Sequence, residues 1–296
     1  MSSPAFVATL IADPARPTLS DAFLDRVTQV LPGFVSRRWL DFGIAADIYF
    51  DGADPGPLLA PMAAEARCDV VVQPVATRAK RLLVADMDST MIGQECIDEL
   101  AAAAGVGAHV AGITERAMRG EIQFEGALRE RVTLLADLPS SVIDELLATR
   151  ITLNPGARVL VATMRARGAY AAIVSGGFTP FTSAIARRLG ANEDRANRLE
   201  IVGGRLTGRV IEPILGADAK LATLRELTAR LGLAHHETLG VGDGANDLPM
   251  LVAAGLGIAF RAKPRVAAAA HARVDHSDLS ALLYAQGIAR SEFVES

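Results

Sequence analysis

The segment Leu82-Leu83-Val84-Ala85-Asp86-Met87-Asp88-Ser89-Thr90 constrains this chain more than any other. Four apolar residues run into two aspartates one residue apart. Side chains alternate sides along an extended strand, so Asp86 and Asp88 face one site if the chain stays extended beyond the apolar run. One carboxylate so placed can attack while the other handles protons, and together they can hold a hard cation such as Mg2+. A strand running into an Asp/Ser/Thr-rich turn explains the same letters with no chemistry. Segments further along the chain separate the two readings.

From Arg81 onward, strand and helix signals alternate. After the aspartate strand, residues 93–150 carry helical periodicity and no clear strand. The pattern then predicts strands at 170–174, 238–242 and 256–260, and helices at 180–189, 219–231, 248–254 and 264–272. Such alternation argues for an α/β fold, a Rossmann-like parallel sheet with helices on both faces. The helical stretch 93–150 is then an insertion above the sheet's C-terminal edge. Ile201-Val202-Gly203-Gly204-Arg205-Leu206 is a Gly-Gly hairpin signal. Residues 1–76 read differently. Strands at 6–11, 34–40, 44–50 and 69–75 and helices at 20–31 and 57–67 give the order βαββαβ, a small α+β ferredoxin-like sandwich. The junction falls at 77–80, so the expected domains are 1–76 and 77–296.

Composition narrows the class of protein. Of 296 residues, 50% are hydrophobic and 22% charged, which argues for a packed globule over disorder. A net charge of −4 offers no basic surface for nucleic acid or anionic lipid. Cys68 and Cys96 are too few for a disulfide framework, and a reducing compartment suits them. Residues 1–17 lack a basic start followed by an apolar core, and no apolar run approaches the ~20 residues needed to span a bilayer. The expectation is a soluble cytoplasmic protein with no nucleic-acid or membrane partner.

Three downstream segments bear on the aspartates. Ser175-Gly176-Gly177 follows the strand at 170–174, where a small hydroxyl and two glycines let backbone N–H groups approach an anion. Lys220 sits near a helix start, where a cation is locally disfavoured by the macrodipole and a bound anion would compensate. Gly242-Asp243-Gly244-Ala245-Asn246-Asp247 follows the strand at 238–242 and offers two carboxylates and an amide. Each has a plain reading: a turn, a solvated lysine, a helix N-cap at Asp247. Together they put Asp, Asp, Ser, Lys, Asp and Asn at strand ends or helix starts of one parallel sheet, where ligands of such folds bind. That is equipment for attack on phosphorus, in which catalysis is mostly positioning and charge stabilisation.

In this order, Asp-Met-Asp-Ser-Thr, Ser-Gly-Gly, the lysine and Gly-Asp-Gly-Ala-Asn-Asp resemble the haloacid-dehalogenase-like phosphatases. Glu95-Cys96-Ile97-Asp98-Glu99, Thr114-Glu115-Arg116-Ala117-Met118-Arg119-Gly120 and Leu128-Arg129-Glu130-Arg131-Val132 are similar to the helical cap of the phosphoserine phosphatase group. The likeness covers 81 to the C-terminus. It implies Asp86 as nucleophile, forming an aspartyl-phosphate, and Asp88 as general acid and then base. It implies Mg2+ held by Asp86, the Asp88 carbonyl, Asp243 and Asp247. Ser175, Gly176 and Lys220 would hold the phosphoryl oxygens, with Asn246 beside them. In the cap, Glu95 would pair with the ammonium of O-phosphoserine and Arg131 with its carboxylate. Met118 and Phe124 would wall the substrate. Without the resemblance, Glu95 is a first-turn helix acid, Arg131 an exposed arginine, and the two apolar residues are cap core. The 1–76 segment suggests a diverged ACT-like domain. It shows no polar cluster, so an oligomer-forming or scaffold role, such as a homodimer, is expected of it.

Other classes fit less well. Asp86-x-Asp88-x-Thr90 begins like an EF-hand loop, but Met91 and Ile97 stand where the glycine and glutamate belong. An Asp-x-Asp glycosyltransferase would leave Ser175, Lys220 and the 242–247 loop unexplained. No Walker A or dinucleotide fingerprint is present. A non-catalytic regulator on this fold would be expected to lack one aspartate. A phosphotransferase to a second small alcohol, such as homoserine, is the runner-up, because it shares the phosphoryl-aspartate.

Overall fold

The computed structural model describes residues 4–53, 55–118, 121–216 and 218–295. The chain opens with β1 (Phe6–Ala12), α1 (Asp21–Val30), β2 (Phe34–Asp41), β3 (Ala45–Phe50), α2 (Gly56–Ala66) and β4 (Cys68–Pro74). Ser20 caps α1, its hydroxyl accepting from the Phe23 N–H. The strands form an antiparallel sheet of order β2-β3-β1-β4, the α+β sandwich that the βαββαβ pattern implies. Alternate residues divide the sheet's faces. Ala8, Leu10, Ile48 and Phe50 pack with Phe23, Leu24 and Leu59 of the helices, while Ile11, Ala45 and Val71 join the core of the rest of the molecule.

β5 (Leu82–Ala85) begins the second sheet. It is followed by four helices: α3 (Cys96–Ala103), α4 (Gly107–Met118), α5 (Phe124–Thr133) and α6 (Ser141–Thr149). Then come α7 (Ala157–Ala166), β6 (Tyr170–Phe178), α8 (Thr179–Leu189), β7 (Glu193–Val202), β8 (Arg205–Ile211) and α9 (Asp218–Arg230). β9 (Thr238–Gly242), α10 (Leu248–Ala253), β10 (Leu256–Phe260), α11 (Pro264–Ala269), β11 (Ala272–Val274) and α12 (Ala281–Ala285) complete the chain. The seven strands are ordered β11-β10-β9-β5-β6-β7-β8, parallel except for the β7–β8 hairpin. Gly203 and Gly204 turn that hairpin with φ of 59° and 76°, a conformation that costs glycine little. β5 is wholly buried and central, with later strands on both sides of it. The chain therefore reverses its winding direction beside β5, and crevices form at such points at the strands' carboxyl ends.

The structure departs from the sequence reading in several places: β7, β11 and α12 are elements that the sequence pattern does not assign. Residues 157–166 form a helix although none was assigned there; Leu160, Val161 and Met164 are its buried stripe. The N-terminal sandwich also has a polar cluster after all, facing the second sheet. Asp47 is fully buried, accepts from Thr9 and Tyr49, and takes both terminal nitrogens of Arg78 at 2.9 Å. Arg78 Nε donates to the Ala285 carbonyl at 3.2 Å. The junction is thus a buried bracket between the sheets, and its polar groups are consumed by docking. No helix among the described residues is long and apolar enough to cross a membrane.

Candidate active site

β5, β6 and β9 are neighbours, so their carboxyl ends deliver Asp86, Ser175 and Asp243 to one place. Asp86 leaves β5 in extended conformation, its N–H still bonded to the Val241 carbonyl at 3.0 Å. A helical turn over Met87–Met91 follows, in which Asp88 is extended (φ −65°, ψ 136°) and Ser89 left-handed (φ 55°). This turn aims the two carboxylates at different partners. Asp86 Oδ2 lies 2.7 Å from Lys220 Nζ. Asp88 accepts from the Ser175 hydroxyl at 2.8 Å and from the Cys96 N–H at 2.9 Å.

Lys220, in the first turn of α9, is clamped between Asp86 and Asp247, the latter at 2.5 Å. Carboxylate oxygens of Asp86, Asp243 and Asp247 come within 4.8 Å of one another. Asp88 is not in this set; its carboxylate turns instead to Ser175 and Cys96. Burial and then the Asp247 charge push the Asp86 carboxyl well above the ordinary carboxylate range, against the pull of Lys220. Burial works to lower Lys220, but Asp86 and Asp247 outweigh it and keep the ammonium charged. Burial and Asp247 also raise Asp243. Three packed carboxylates against one lysine are short of positive charge. Their hard oxygen donors suit a divalent cation such as Mg2+.

The 242–247 loop is built around this need. Asp247 precedes α10, but its side chain makes no cap; it is fully buried, accepting from the Gly244 N–H at 2.9 Å. A Cβ on Gly242 would stand 2.3 Å from Asp247 Cγ, so only glycine lets the carboxylate lie flat on the strand end. The Thr90 hydroxyl donates to Asp243 at 3.0 Å. Ser175 is oriented from behind by the Gly177 N–H at 2.8 Å.

The helices after β5 complete the enclosure. The Phe124 ring rests on Gly176, where a Cβ would meet Phe124 Cζ at 3.1 Å. Phe124, Ser175, Gly176, Lys220 and Asn246 line one recess of about 10 Å³. A separate cavity of about 680 Å³ lies away from these groups, between α2, β4 and residues 271–276. Glu95 stands at the head of α3, and its carboxylate accepts from the Ser89 hydroxyl at 2.6 Å. Burial of its carboxyl and the neighbouring Asp88 charge push it up to about 7. Arg131, on α5, is half-buried and donates to the Ala127 carbonyl at 3.2 Å. Burial lowers it, opposed by Asp98 and Glu95, which puts Glu95 and Arg131 within electrostatic reach of each other. Met118 ends α4; its side chain, like residues 119–120, lies outside the described part.

The structure therefore gathers Asp86, Asp88, Glu95, Phe124, Arg131, Ser175, Gly176, Lys220, Asp243, Asn246 and Asp247 around one strand-end crevice. Sequence reasoning passed over Thr90 and Ser89 as individual contributors, although both belong to the aspartate motif. It also missed Asn197, whose one available signal was a poor strand former inside a strand.

The fold and this cluster define an α/β protein with an aspartate-bearing site at the carboxyl edge of a parallel sheet. Residues 83–252 match the model of the haloacid dehalogenase-like hydrolases, and the chain belongs to that family. It is 43% identical over 283 residues to a phosphoserine phosphatase of Streptomyces coelicolor, covering 94% of this chain and 67% of that protein. It is 46% identical over 242 residues to phosphoserine phosphatase SerB2 of Mycobacterium tuberculosis, covering 80% of this chain and 59% of that one. The chain thus spans about three-fifths to two-thirds of these relatives' lengths. The unliganded crystal structure of a probable phosphoserine phosphatase from Vibrio cholerae superposes with a TM-score of 0.80 at 34% identity. That match covers 98% of this chain and 88% of the other.

Proposed function

We propose that this chain is an Mg2+-dependent phosphoserine phosphatase that converts O-phospho-L-serine to L-serine and phosphate, the last step of serine formation in the cytoplasm. The observation that carries this reading is the pair Glu95 and Arg131 beside the Asp86–Lys220 centre. A carboxylate and a guanidinium, one for an ammonium and one for a carboxylate, fit an amino-acid phosphate better than a simple ester. The relatives' names agree with it.

In the chemistry that follows from this reading, Asp86 attacks phosphorus, forming an aspartyl-phosphate as the bond to the serine oxygen breaks. Asp88 gives that oxygen its proton and then takes one from the water that cleaves the acyl phosphate. The Ser175 hydroxyl and the Lys220 ammonium hold phosphoryl oxygens, and Lys220 offsets the charge of Asp86. Asp86, Asp243 and Asp247, with the Asp88 carbonyl, would hold Mg2+, which when bound would neutralise charge on the phosphoryl group. Phe124 packs on Gly176 and narrows the recess beside Ser175 and Lys220, so the helices of 93–150 act as a cap whose movement would widen access for substrate. For the N-terminal sandwich, the exposed Phe34 and Val35 on edge strand β2 support an oligomeric role. An unchanged number of subunits in light scattering and unchanged stability after deletion of 1–76 would remove that role.

The test is phosphate release from L-phosphoserine, phosphoethanolamine and p-nitrophenyl phosphate, with and without Mg2+ and with no added alcohol. Fast, Mg2+-dependent release selective for phosphoserine supports the proposal. Equal release from all three discards the substrate, and release only with an added alcohol makes the protein a transferase.

A further inference from the structure

We infer that Asn197 is a positioning residue that locks the Ser175–Gly177 turn and the Lys220 segment into one fixed relation. The inference rests on the phosphatase reading for what those two groups hold; the geometry stands without it. β6 and β7 pair in parallel register up to Val174↔Arg195, and the next partners are Phe178↔Asn197. Four residues on β6 thus advance against two on β7, and 175–177 bulge out of the ladder. A bulge leaves backbone polar groups without their ladder partners, and a buried carbonyl must find another donor. Asn197 provides it. The Asn197 Nδ2 donates to the Gly176 carbonyl at 2.9 Å.

The same amide grips a second segment. Asn197 Nδ2 donates to the Leu215 carbonyl at 3.2 Å, and the Leu215 N–H donates to Asn197 Oδ1 at 2.7 Å. A side-chain amide here reproduces both bonds of a strand pair, fixing the segment that leads into α9 and Lys220. Asn197 is 1% exposed, so its amide is held inside the protein, while its partners Gly176 and Leu215 are half-buried. The link to chemistry runs through one peptide plane. Asn197 fixes the carbonyl of the Gly176–Gly177 peptide, whose N–H is the donor that orients Ser175 Oγ at 2.8 Å. Ser175 in turn donates to Asp88 at 2.8 Å. Rotation of that peptide would misdirect the Ser175 hydroxyl, and release of Leu215 would let Lys220 shift relative to it.

Asn197→Asp keeps the shape but sets a proton-free carboxylate against two carbonyl oxygens; Asn197→Ser removes the reach with less repulsion. Both are compared with the parent by melting temperature, by kcat and KM for phosphoserine and p-nitrophenyl phosphate well below melting, and by calorimetry of inorganic phosphate. The expected result is a fall in kcat of about 100-fold on both esters, as a misplacement of about 1 Å produces. Phosphate binding weakens at least about tenfold, while the ratio of the two KM values is unchanged because the cap contacts are untouched. Lower melting temperatures with kcat and phosphate affinity within about twofold of the parent would make Asn197 a packing residue and overturn the inference. Two variants that do not fold would overturn it in the same way. A parent that binds phosphate but cleaves neither ester would defeat the phosphatase reading alone, since phosphate affinity still tests Asn197.

Discussion

Replacing Asp86 with asparagine should abolish turnover while leaving the metal-free protein about as stable as before. The stability half follows from charge geometry. Asp86 Oδ2 lies 2.7 Å from Lys220 Nζ, an attraction of about 6 kcal/mol at an effective dielectric constant of about 20. Oxygens of Asp243 and Asp247 lie within 4.8 Å, a repulsion of at least about 3.5 kcal/mol from each on the same scale. The relieved repulsion therefore at least offsets the lost attraction, and the variant no longer desolvates a charge. The upward push on the Asp86 carboxyl points the same way. In chelator, Asp86→Asn should melt within about 4 °C of the parent. Mg2+ should raise the parent's melting temperature more than the variant's, because one anionic ligand is gone. Phosphate release should fall at least about 10^4-fold, as when other nucleophiles are removed. A variant melting more than about 8 °C below the parent in chelator would show that the lysine pair dominates and that the crowding argument is wrong. Turnover above about 1% of the parent would place the nucleophile elsewhere.

Arg131→Ala should lower kcat/KM for phosphoserine by about 30- to 100-fold, the worth of a charge-assisted pair, and leave p-nitrophenyl phosphate nearly unchanged. Equal losses on both would remove the carboxylate role. Glu95, pushed up to about 7, holds its proton below that pH, so its charge for the substrate ammonium appears as pH rises from about 6 to 8. KM for phosphoserine should fall across that window, and Glu95→Gln should lose this slope; a Gln variant with the parent's profile would assign the titration to another group. Asp47→Ala strands the buried Arg78 and should cost about 3–5 kcal/mol in urea unfolding, with kcat unaltered below melting. A midpoint matching the parent's would mean the bracket relaxes into water.

Much of the fold was legible because it is locally encoded. The apolar runs at 82–85, 238–242 and 256–260 are strands, and the βαββαβ order at the N-terminus became the β2-β3-β1-β4 sheet. Residues 157–166 were passed over although their buried stripe has helical spacing. The polar cluster around Asp47 was invisible for a different reason: Thr9, Asp47 and Arg78 are scattered in sequence and meet only when the sheets pack.

The sequence by itself determined which residues sit at strand ends and that they carry carboxylates, a hydroxyl and an ammonium, because strand period and turn chemistry act over a few residues. Tertiary structure alone decided that β9, β5 and β6 are neighbours, and so that Asp86, Asp243 and Asp247 crowd one lysine while Asp88 turns to Ser175. It also decided that Asn197 faces a bulge two strands from the nucleophile. Contacts and charge interactions act through space, and chain separation does not limit them once burial of the apolar strands has fixed the sheet order.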